Sequence, residues 1–165
     1  IEAIDFQYHL SRIKCMKDIG IHKGLAQFGD TLTNMIYSAA KSLVLRQLEG
    51  KNVNRRILSQ ALKNADMKIY ARVRSDAHAL ADTAEAFVGY MYCARLWTID
   101  FMIDFLATQL KDKPFAEDWQ ETESATIAFS ALLGKIKEEY RLPLCKMADA
   151  NREKLKKAMA DYKLI

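Results

Sequence analysis

The chain has 165 residues, half of them apolar and only two of them proline, which suits a single helical globule large enough to bury a core without cross-links. Its three cysteines, Cys15, Cys93 and Cys145, are an odd number with no Cys-x-x-Cys pair, which speaks against a disulfide framework or a zinc site and for reduced thiols in a cytoplasmic protein. No basic-then-apolar leader opens the sequence, and the longest apolar run, residues 86–97, is broken by Arg95, so neither export nor membrane insertion is expected.

The net charge of +4 is unevenly spread. Lys41, Arg46, Lys51, Arg55, Arg56, Lys63, Lys68, Arg72 and Arg74 follow one another with only Glu49 and Asp66 between them. From Asp76 to Glu123 the balance reverses, with Arg95, Lys111 and Lys113 the only basic residues among ten acids. Such a division suits a protein that holds a polyphosphate on one surface and metal ions on another. It equally suits charges that coat the outside of helices.

In chain order, residues 1–17 carry apolar side chains at Ile4, Tyr8, Ile13 and Met16 and predict a first helix ending before Gly20. From His22 a stripe of Leu25, Phe28, Leu32, Met35, Ile36, Ala39, Ala40 and Leu43 predicts a long helix, with Gly50 as its stop. Gly29 inside it costs about 1 kcal/mol relative to alanine, which calls for another backbone close by. Asn54 is placed to cap a helix over residues 55–65 that turns Ile57, Leu58, Ala61 and Leu62 inward. Lys51, Arg55, Arg56 and Arg74 are the foremost candidates for following a phosphate backbone, together with Lys63, Lys68 and Arg72, or all of them are solvated charges around a short helix.

The next helix, capped by Ser75 or Asp76, puts two carboxylates into an apolar run: Ala-Leu-Ala-Asp-Thr-Ala-Glu-Ala-Phe-Val-Gly-Tyr over residues 79–90. Asp82 and Glu85, three apart, are neighbours on one helix face, about 5–6 Å between Cβ atoms. Their repulsion is relieved if a hard divalent cation takes both as oxygen ligands. His78 shares that face, either as support for the acids or as a polar lining residue. Beyond it, Thr98 caps a helix carrying Ile99, Met102, Ile103, Leu106 and Leu110, with Asp100 and Asp104 on its solvated side. After Pro114 two more helices are predicted. One carries Trp119, Thr122, Thr126, Phe129, Leu133, Ile136 and Tyr140 along its packed side; Pro143 opens the other, packed through Leu144, Met147, Leu155, Ala158 and Met159.

Two of these stretches resemble one known family. Leu25-Ala26-Gln27-Phe28-Gly29-Asp30-Thr31-Leu32 is similar to the signature helix of the ribonuclease III family, and residues 80–89 are similar to its second acidic motif, in the same order along the chain. The resemblance runs from about Lys23 to about Leu110. It implies an all-α, ribonuclease III endonuclease-like helical bundle over residues 1–112, here with two additional C-terminal helices in 113–165 and no double-stranded RNA-binding domain. It further implies Asp30, Asp82 and Glu85 as catalytic and metal-binding residues, Mg²⁺ as the cofactor with Mn²⁺ able to substitute, and a homodimer whose two acidic clusters flank a valley for duplex RNA. In the family the signature helix packs against its two-fold mate, which would account for Gly29.

The chain departs from bacterial-type members, which carry acids at the positions of Ala26 and Lys23, and in this resembles the mini-ribonuclease III branch and short archaeal relatives. Water, or a polar neighbour such as Asn34 one turn after Asp30, is the candidate to complete the coordination, and Asn34 and His78 are candidates to stand behind the ligands. The expected activity is therefore Mg²⁺-dependent hydrolysis of double-stranded RNA. The alternative is a catalytically reduced dimer that serves as an RNA-binding or ribonucleoprotein scaffold, which Ala26 and Lys23 favour and the intact Asp30, Asp82 and Glu85 oppose. Lys154, Lys156 and Lys157 either assist RNA binding or keep the end of the chain soluble.

Overall fold

A computed structural model describes residues 6–161. These residues fold as helices α1 (Gln7–Leu10), α2 (Met16–Gly20), α3 (Lys23–Leu45), α4 (Arg55–Asn64), α5 (Ala77–Cys93), α6 (Ile99–Leu110) and α7 (Asp118–Asp161), with one short 3₁₀ turn at Lys68–Tyr70 and no strand among them. The all-helical reading therefore holds. In place of one opening helix there are two short ones, because residues 11–15 leave the helical path and Cys15, in an extended conformation, starts α2 afresh.

Helix α5 is the central element. It packs on α3 and α4 and touches α2 and α7, and Leu80, Ala84, Ala86, Phe87, Val88 and Met91 are almost completely shielded. That burial is what allows an 17-residue helix with so few polar side chains to be stable: tertiary contact, not propensity, holds it. Its N-cap is Asp76, whose carboxylate accepts the Ala79 N–H at 2.8 Å. Asn54 caps α4 and Thr98 caps α6, as their positions in the sequence predict.

Helices α3 and α5 cross where both lack a side chain. A Cβ on Gly29 would run into the Glu85 carbonyl of α5, and one on Gly89 would lie 2.8 Å from the Leu25 carbonyl oxygen of α3. The close approach that Gly29 demands is thus met inside the protomer, and the two-fold mate is not needed to explain it. Helix α3 also ends earlier than Gly50 suggests. Arg46 takes the left-handed conformation (φ 55°) and Gln47 N–H returns to the Ser42 carbonyl at 3.1 Å, a cap that stops the helix at Leu45.

The two helices expected after Pro114 are one continuous helix, α7, which passes through Pro143. A proline inside a helix removes one backbone hydrogen bond and crowds the carbonyl four residues before it, at a cost of about 3 kcal/mol, which is why a break is expected there. The first half of α7 lies on α4 and α6 and buries Ala125, Ala128, Phe129, Leu132, Leu133 and Ile136. Of these, Phe129, Leu133 and Ile136 are the predicted ones; at the start of the helix the packed side differs, with Trp119 65% exposed and Glu121 and Ser124 pointing inward. Glu121 is tolerated there because Lys41 approaches it at 3.0 Å and the Tyr37 hydroxyl donates to it at 2.9 Å. For residues 141–156 and 158–161 only the helical backbone is described, so the expected packing of Leu144, Met147, Leu155, Ala158 and Met159 lies outside the described side chains, as do those of Cys145, Lys154 and Lys156.

Candidate functional site

One cavity of about 600 Å³ opens where the starts of α3 and α5 meet, and Asp30, Asp82 and Glu85 all line it. Each carboxylate arrives by a different route. Asp30 sits one residue past the Gly29 crossing, so the closest contact of α3 with α5 brings it beside Glu85. Glu85 is buried on α5 yet faces this crossing, and Asp82, one turn earlier, is half-exposed at the cavity edge. Thr83 bolts this part of α5 to α2 by donating to the Gly20 carbonyl at 2.8 Å.

Glu85 and Asp30 are within hydrogen-bonding reach of each other. Burial, the adjacent Asp30 and then Asp82 push the Glu85 carboxyl up to about 8, and Arg55 at the start of α4 opposes them only weakly. The cluster is therefore short of positive charge and, near neutral pH, makes up the deficit with a proton. Hard oxygen donors in this state suit a small divalent cation, which would replace that proton. Among the described residues, however, no group of three or more His, Cys, Asp and Glu side chains is drawn together as a ready-made metal cage.

The supporting residues differ in how firmly they are held. Asn34 Nδ2 donates to Asp30 Oδ1 at 3.2 Å. His78 is more loosely placed, its Nε2 3.9 Å from Asp82 Oδ2 with both side chains about half exposed. Of the four basic candidates, Arg55 and Arg56 are exposed in the first turn of α4, Lys51 lies 3.9 Å from Glu121, and Arg74 is exposed before α5. None of the four lines the cavity. Its cationic lining is Lys23 and Arg72, with His22 and His78. The sequence offers Arg72 beside those four, as one more charge in the same basic stretch, and the fold brings it into the cavity. Ala26 also lines the cavity, leaving open the space that a longer side chain there would fill.

The ribonuclease III family model matches residues 23–142. The chain belongs to the ribonuclease III family. The match reaches past Leu110 and takes in the part of α7 that closes the core. Separately, a stretch of 35 residues, 21% of the chain, is 54% identical to part of a 4-hydroxy-tetrahydrodipicolinate synthase of Thermodesulfovibrio yellowstonii and 57% identical to part of one from Syntrophus aciditrophicus. Each match covers 12% of the relative's own length, so it is a likeness of one segment and carries no activity to this chain.

Proposed function

We propose that this protein is a homodimeric endoribonuclease that hydrolyses phosphodiester bonds in double-stranded RNA with the help of Mg²⁺, Mn²⁺ being able to substitute, and that Asp30, Asp82 and Glu85 are its metal-binding and catalytic residues. The observation that carries this reading is Glu85: a buried carboxyl held against a second carboxyl and beside a third, at the wall of an open cavity. A fold gains nothing in stability from such crowding, which raises the energy of every ionised state. It gains a site where a cation is welcome.

Bound there, Mg²⁺ supplies Lewis acidity toward water and a phosphoryl oxygen. The protein's own share is arrangement. Glu85 would give up its proton on loading, so binding is expected to tighten as pH rises toward 8. Lys23 and Arg72 stand in the same cavity to meet phosphates flanking the scissile one. Lys51, Arg55, Arg56 and Arg74 extend the positive surface along the duplex, whose A-form shape, phosphates and 2′-hydroxyls are the features available for recognition. Affinity resting on such contacts should fall steeply with salt. Pairing of two copies is supported by α3, which leaves Phe28, Met35 and Leu43 between 38% and 59% exposed along one side.

The scaffold reading is favoured by Ala26 and Lys23 at positions where bacterial-type members carry acids, and by the lack of a ready-made metal cage among the described residues. Incubation with end-labelled duplex RNA separates the two. Cuts that need Mg²⁺ and vanish in Glu85→Ala support the enzyme; retention of duplex RNA without cutting at any metal concentration supports the scaffold.

A further inference from the structure

The connection between α3 and α4 runs back along α3 and is fastened to it at regular intervals. Glu49 N–H donates to Ser42 Oγ at 2.9 Å, Lys51 N–H to Ser38 Oγ at 2.8 Å and Val53 N–H to Asn34 Oδ1 at 2.7 Å. The periods explain the fit: four residues of helix rise about 6 Å and two residues of extended chain about 6.6 Å, so every second amide of the strap meets every fourth side chain of the helix. Ser38 and Ser42 also donate back, to the carbonyls of Lys51 and Glu49 at 3.1 and 3.2 Å. The next position in this series, four residues before Asn34, is Asp30.

The last rung fixes more than the strap. A backbone N–H can only donate, so Asn34 must turn its amide oxygen to Val53, which puts its NH₂ on the side of Asp30, where one of its two N–H groups donates to Asp30 Oδ1 at 3.2 Å. Asp30 is exposed, so water competes for its carboxylate and favours rotating it out of the cavity. A donor held rigidly on one of its oxygens opposes that rotation and leaves the other oxygen for the cavity.

We infer that Asn34 is a positioning residue for the metal site, its amide aimed by the backbone of the α3–α4 strap so that Asp30 stays turned toward Glu85. The inference rests on the reading of Asp30 and Glu85 as metal ligands. It also places the anchoring of α4, whose cap Asn54 follows Val53 directly, in mechanical series with the carboxylate cluster.

The test is direct Mn²⁺ binding by the full chain, followed through the electron paramagnetic resonance signal of the free ion, with thermal melting alongside. Asn34→Ala should weaken Mn²⁺ binding roughly ten- to hundredfold, the usual consequence of losing a partner behind a ligand. Ser42→Ala removes a rung of the same strap far from Asp30 and should cost stability while leaving Mn²⁺ affinity unchanged. If Asn34→Ala does not fold at the assay temperature, Asn34→Ser takes its place. Unaltered affinity in the Asn34 variant, or an equal loss in both variants, overturns the inference and leaves the metal site standing. A wild-type chain that binds no Mn²⁺ overturns the metal reading itself, and the inference with it.

Discussion

Glu85 carries opposite consequences for stability and for chemistry. Its carboxyl titrates near 8 in the folded protein, against about 4.3 in an unfolded chain, chiefly because it is buried and secondly because Asp30 and Asp82 are close. Between those values the folded state holds a proton that the unfolded state has released, so stability contributed by the protonated form is fully present in acid and is lost as pH rises through 8. In chelator, Glu85→Gln should therefore melt near the wild type at pH 5 and well above it at pH 8, while cleavage by the variant is abolished. Melting curves at the two pH values check the first part. A variant equally stable or less stable at pH 8 would mean that Glu85 is not strained by its neighbours. Glu121 is the contrasting case. Burial pushes it up, but hydrogen bonds from Lys41 and Tyr37 and the charge of Lys51 outweigh burial and hold it below the usual carboxylate range. Its contribution is present above the unfolded value and lost as pH falls through the lowered one. Glu121→Gln should cost ~3 kcal/mol at neutral pH, measured by urea unfolding, and should flatten the acid limb of the stability profile.

The crossing of α3 and α5 makes the site possible, since it puts Asp30 and Glu85 side by side with no side chain between the helices. Gly29→Ala would drive a methyl into the Glu85 carbonyl, where backbone cannot yield cheaply. The expected cost is ~3 kcal/mol or more, read from urea unfolding, with loss of cleavage even where the variant remains folded. This crossing was half legible in the sequence. A glycine in mid-helix announces a near neighbour but not which one, and the neighbour proved to be α5. The caps Asn54, Asp76 and Thr98 were readable because capping is a local matter of one side chain and an amide two or three residues on. The end of α3 was not: the left-handed turn falls to Arg46, and Gly50 is taken up by the strap. Helix α7 was misread at both ends for the same reason. Its inward face includes Glu121, acceptable only in the company of Tyr37 and Lys41 far away in the chain, and its path through Pro143 contradicts a local rule.

Taken whole, the protein presents an acidic cavity on one side of α3 and exposed apolar side chains on another. The proposed two-fold pairing predicts that Leu43→Glu or Met35→Glu shifts the protein from dimer to monomer in sedimentation velocity and lowers cleavage, since a duplex would then meet one cluster instead of two. A wild-type protein that sediments as a monomer at every concentration would remove the paired arrangement. No helix among the described residues is long and apolar enough to cross a membrane. Of the molecule's design, the pair of acidic motifs and their order were visible in the residues themselves. That Arg72, among several basic candidates, would join Lys23 in the cavity wall was not, because it depends on where the chain before α5 comes to rest. The most direct measurement is single-turnover cleavage of a labelled RNA duplex by wild type and Asp30→Asn, with Mg²⁺ and then with chelator. Internal cuts made by the wild type only with metal, and absent in Asp30→Asn, are the predicted result; cuts that persist in chelator or in the variant would contradict the account.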